Sequence, residues 1–111
     1  METWKMAQDI EKQDVTLEVE GKGMSEKEIY KQALDKWGAT TQILMLFEEM
    51  SELQNAMCKV MRGRASFLET AEEIADVEIM IGQMKTLFDI EKEVENWKKN
   101  KIERLAKRLK D

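Results

Sequence analysis

A chain of 111 residues is sized for one domain, and 37% charged with 42% hydrophobic residues, no proline and five glycines favours amphipathic helices over strands or disorder. A net charge of −5 excludes the basic face on which a general nucleic-acid binder depends, although an anionic small substrate stays open if a metal supplies positive charge. The absence of histidine and the single Cys58 exclude a histidine general base, an intrachain disulfide framework and an ordinary zinc site.

Residues 1–24 read as an N-terminal arm and residues 25–111 as an all-α domain. In the arm, Trp4, Met6 or Ala7, and Ile10 suit a short helix. Val15, Leu17 and Val19 then alternate with polar residues at the strand period of two, with no evident partner strand. Gly21-Lys22-Gly23 lacks the spacing of a phosphate loop and predicts a plain turn.

Ser25-Glu26-Lys27-Glu28 has the form of a capping box and predicts the start of a first helix, which Gly38 ends. A second helix is expected from Thr40 or Thr41 to about Arg62, with Gly63 as its stop. Its apolar arc takes in Ile43, Leu46, Phe47, Met50, Leu53, Met57, Cys58, Val60 and Met61, which makes Cys58 structural. Glu49 lies at the edge of that arc, and Glu52 and Glu48 lie further round.

Ser66-Phe67-Leu68-Glu69 is a second capping box, opening a third helix that reaches about Phe88. Its apolar residues run nearly all the way round, the pattern of a helix buried on most sides. Glu73 and Asp76 share a sector with Val77, Met80, Met84 and Leu87, and a carboxylate buried there must be paired, metal-bound or protonated. A fourth helix begins between Asp89 and Glu91, with an apolar stripe through Trp97, Ile102 and Leu105 and a strongly basic second half. No stretch reads as a secretory leader or is apolar for long enough to cross a bilayer, so the expectation is a soluble cytoplasmic protein without membrane or polymeric nucleic-acid partners.

The chemistry lies in two acidic motifs. Glu48-Glu49-x-x-Glu52 and Glu72-Glu73-x-x-Asp76 each set carboxylates on one helical face, and the two faces meet if the helices pack side by side. Four converging carboxylates repel unless a hard cation such as Mg²⁺ or Mn²⁺ lies between them. Solvated helix faces, with Lys59, Lys85 or arginines as ordinary partners, are an equally good reading of the residues alone. Lys59, Arg62, Lys101 and Arg104 suit phosphate oxygens or, more simply, a helix C-terminus and a solvated face. Trp37 and Trp97 suit core or interface anchoring more than base stacking, and the nine methionines suit core filling.

The two-part acid motif, with Lys36-Trp37-Gly38 and Gln42 before it and Lys101-Ile102-Glu103-Arg104-Leu105 after it, resembles the MazG-like family of all-α nucleoside triphosphate pyrophosphohydrolases, relatives of phosphoribosyl-ATP pyrophosphohydrolase and the dimeric dUTPases. The resemblance covers about residues 25–110 and leaves out the arm. It implies a four-helix-type bundle assembled as a homodimer or homotetramer, with Mg²⁺ (or Mn²⁺) held by Glu49, Glu52, Glu73 and Asp76. Glu48 or Glu49 would accept the proton of the attacking water, and Glu48 or Glu72 would help a second ion or orient the water. Lys101 and Arg104, with Lys59 and Arg62 behind them, would face the triphosphate. A (deoxy)nucleoside triphosphate would leave as monophosphate and pyrophosphate. The alternative is a helical interaction module that keeps the fold without catalysis.

Overall fold

The computed structural model of the chain describes residues 16–19 and 22–111, and these form an all-α bundle with one short hairpin at its N-terminal edge. The helix expected around Trp4 and Ile10 lies outside the described residues. The strand expected near Val15–Val19 is present as β1 (Thr16–Val19), and it does have a partner. β2 (Lys22–Ser25) pairs with it antiparallel, Thr16 opposite Ser25 and Val19 opposite Lys22. Lys22-Gly23 is therefore strand rather than turn. The alternation is missing from β2 because its pairing comes from backbone groups, to which side-chain pattern is blind.

The first helix, α1 (Glu26–Trp37), starts where its capping residue puts it, with the Ser25 hydroxyl accepting the Glu28 N–H at 3.2 Å. Gly38 at φ 89° ends it, its N–H donating to Leu34 O at 2.9 Å. The hairpin is tied to α1 by Gln32 Nε2, which donates to Met24 Sδ at 3.0 Å.

Helix α2 (Ala39–Met61) stops in a Schellman motif: Gly63 at φ 70° donates to Val60 O at 3.0 Å and Arg64 to Lys59 O at 2.9 Å. The second capping box acts one turn early. Ser66 Oγ accepts the Leu68 N–H at 3.2 Å, but the turn it caps is 3₁₀ (Phe67–Glu69), and α3 (Thr70–Phe88) follows. A 3₁₀ turn at a helix start is a tighter way to meet the same free N–H groups. Thr70, buried, donates its hydroxyl to Phe67 O at 2.6 Å and locks the junction. A second Schellman motif closes α3 on Asp89, the one non-glycine residue with positive φ (53°) among those described. Helix α4 (Glu91–Arg108) then leaves, and beyond Val94 every residue of it is exposed.

The core lies between α2 and α3, with α1 laid across α3. One close approach sets that crossing: a Cβ on Gly82 would stand 2.5 Å from Tyr30 Cε2, so the ring of Tyr30 rests on the backbone of α3. The core is thin. Met80 is the one buried apolar side chain among the described residues, joined by the polar Gln42, Thr70 and Gln83. The broad apolar arc of α2 is split: Ile43, Leu46, Leu53 and Val60 are half-buried, whereas Phe47, Met50, Met57 and Met61 are exposed. Cys58 is exposed too, so it is not a core residue. Helix α3 is likewise less enclosed than its composition predicts, because Ile74, Ile79 and Ile81 face out of the chain.

Replacing Gly82 by alanine should force Tyr30 off α3 and lower stability by about 1–3 kcal/mol, read from the urea midpoint. Asp89→Gly should raise stability by about 1 kcal/mol in the same measurement, since glycine carries no penalty in the left-handed region.

Candidate metal centre

The short connection makes α2 and α3 a helical hairpin, and its consequence for the site is direct. Glu49 and Glu52 project from α2 and Glu73 from α3, and one carboxylate oxygen from each lies within 4.8 Å of the others. Glu49 and Glu73 are half-buried and Glu52 is exposed. Thus the site runs from the core edge outward along α2, as the helical arc predicts. Asp76 is half-buried one turn further along α3. Its charge acts on both Glu49 and Glu73, but its carboxylate stands outside the close group of three.

Ordinary ion pairing does not account for these acids. Among the described residues the one ion pair is Lys27–Glu91 at 3.0 Å, which ties α1 to α4 away from the site. The Oε2 atoms of Glu49 and Glu73 are out of contact with solvent and have no hydrogen-bond partner. Burial, then the charges of Glu52 and Asp76, push the Glu49 carboxyl up to about 6. Glu73 is raised for the same reasons, burial first and then Glu52 and Asp76. No lysine or arginine figures among the charges acting on either. Three oxygen donors, two of them with an orphaned buried atom, fit a hard divalent cation, which prefers carboxylate oxygen and needs no nitrogen or sulfur.

The expected phosphate-binding residues divide. Lys59 lines a cleft of about 280 Å³ that also contains Glu52 and Glu73. Arg62 and Arg64 are exposed at the Schellman end of α2. Lys101 and Arg104 lie on the exposed part of α4, with Lys101 Nζ 5.9 Å from the Trp97 ring, so this one chain does not bring them to the acids. Trp37 and Trp97 are both largely exposed, each beneath a lysine, rather than in the core. Glu48 and Glu72 flank the group and are exposed. The motif reading passes over Asn55 and Glu69, which also line the cleft. Their signal was helical spacing: Asn55 is three residues past Glu52, and Glu69 four before Glu73.

A carboxyl raised to about 6 makes a signed prediction. Between its unfolded value near 4.5 and about 6, the folded chain binds the extra proton, so stability falls as pH rises through that window. Without divalent cations, the melting temperature should therefore climb as pH is lowered from 7 towards 5. Circular dichroism on Glu49→Gln should show that part of the slope removed.

No family model, curated protein or solved structure matches this chain, and the chemistry of the site is read from its own side chains.

Proposed function

We propose that the chain is a Mg²⁺-dependent nucleoside triphosphate pyrophosphohydrolase that cleaves a (deoxy)nucleoside triphosphate to the monophosphate and pyrophosphate. The observation that carries this reading is the group of three carboxylates, Glu49, Glu52 and Glu73, within 4.8 Å of one another and without a cationic partner. These three would hold Mg²⁺ or Mn²⁺, with Asp76 the next donor on α3. The bound cation would supply positive charge to phosphate oxygens and acidify a water. Glu49 or its exposed neighbour Glu48 would take the proton of the attacking water. The half-buried side of the group, formed by Glu49 and Glu73, limits solvent access to that proton.

Assembly belongs to the same proposal. The exposed apolar residues of α2, α3 and α4 suit a homodimer or homotetramer, and a second copy's α4 is a route by which Lys101 and Arg104 reach the phosphates. The same exposed faces also favour the second reading, a helical interaction module without catalysis. No described helix is long and apolar enough to cross a membrane.

The deciding experiment measures pyrophosphate release from a panel of triphosphates with and without Mg²⁺. Release should require Mg²⁺, and Glu52→Gln or Glu73→Gln should reduce it by at least about 100-fold while the helical signal persists. Undiminished turnover in both variants sinks the assignment. No heat of Mg²⁺ binding to the unmodified chain, with no turnover, selects the interaction module.

A further inference from the structure

Helix α4 packs on the bundle through its first turn. Two residues, Asp89 and Ile90, connect it to α3, and Asp89 stands in the left-handed region at φ 53°. Of its 18 residues only Glu91 and Val94 are half-buried, and the others are exposed. A groove lined by Tyr30 of α1, Ile81 of α3 and Val94 and Lys98 of α4 runs between the three helices, and Ile81 is left exposed in it.

Among the described residues one ion pair spans from α1 to α4. Lys27 Nζ stands 3.0 Å from Glu91 Oε1, and that oxygen is shielded from solvent. Lys27, with Lys31 behind it, holds the Glu91 carboxyl below the usual carboxylate range. Glu91 is the first residue of α4, so the pair acts right beside the connection to α3. The helix extends about 27 Å beyond it, and a small shift at the pair becomes a large one at the far end. The two side chains are 50% and 38% exposed, and a pair so exposed is weak and screened by salt. Such a contact can hold a direction and can also let it go.

The direction matters because charge is unevenly spread. From Asn96 to Lys110 the chain has seven basic residues and one acid, although its net charge is −5. Where α4 points is where the molecule presents its positive charge.

We infer that the Lys27–Glu91 pair is a latch that sets the direction of α4, and that α4 swings as a rigid lever about Asp89 and Ile90 when the pair parts. The latch does not depend on the reaction assigned to the acids. Residues that take up a change of direction at the end of an element are ordinary hinges, and the two-residue connection supplies them.

The swing is read from the distances between two spin labels. One sits on Cys58 of α2, the chain's single cysteine and an exposed one, and the other on α4 through Lys107→Cys. The labelled chain is diluted with an excess of unlabelled chain, so that each pair of labels reports on one copy. The unmodified latch should give a main distance and a minor one. Lys27→Met and Glu91→Gln should each raise the minor form relative to the main one by about two- to fivefold, and Lys27→Arg should not. Raising salt from about 0.1 M to about 1 M should act in the same direction on the unmodified latch and add nothing in Lys27→Met. Lys92→Met, which removes a neighbouring charge, should change nothing. Distances in Lys27→Met or Glu91→Gln that superpose on those of the unmodified latch overturn the inference, as does an equal shift in Lys92→Met. A helical signal that falls along with the shift also overturns it, since α4 would then be unwinding rather than swinging.

Discussion

Pairing α2 with α3 forces like charges together, and the rest of the molecule answers to that constraint. Glu52 stands beside Glu73, and Glu49 beside both. Neither water nor a basic side chain reaches the two inner oxygens. A fold can hold such a group only if apolar packing on the same faces outweighs the repulsion. Ile43, Leu46, Leu53 and Val60 on α2, with Val77, Met80, Met84 and Leu87 on α3, are the residues available to do so. Burial, then the neighbouring carboxylates, push the proton affinity of Glu49 and Glu73 up. Sites that keep charges unpaired at a cost to the fold are commonly functional ones, and the proposed function rests on that rule.

The thin core has a related meaning. A domain of this size ordinarily encloses several large apolar side chains, and here Met80 stands alone among the described residues. Part of the exposure follows helical stripes, as with Phe47, Met57 and Met61 on α2 and Ile74 and Ile81 on α3, while Ile79 is exposed on another side of α3 and Trp97, Ile102 and Leu105 are exposed on α4. In the proposed homo-oligomer these are the faces on which a second copy would pack. In α4 the exposure is most complete, since the helix touches the remainder of the chain only near its start.

Much of this was legible beforehand, and the reasons are physical. Ser25, Gly38 and Gly63 mark helix ends because capping and positive φ depend on the local residue alone. The unequal burial of Glu73 and Glu52 follows from angular position on a helix, which needs no knowledge of the partner. Less local properties escaped. The partner of β1 was hidden because backbone pairing leaves no trace in a glycine-containing strand. Cys58 and Phe47 were assigned to the interior because an apolar arc shows that a face is covered, not whether its own chain covers it. The position of Asp76 outside the tight group depends on side-chain reach across the helix pair, which spacing along one helix does not encode.

The Schellman turn at Gly63 and the Ser66 cap also act together as a ruler. Between them they fix how many residues separate the last turn of α2 from the first of α3. Within a helix each residue turns the chain about 100°, so the positions of the two caps decide which faces of α2 and α3 meet. A residue inserted in α2 between Glu52 and Gly63 would carry the turn round with it, swing Glu73 away from Glu52 and scatter the acids over different faces. The information that assembles this site is thus held partly in residues that contribute no ligand to it.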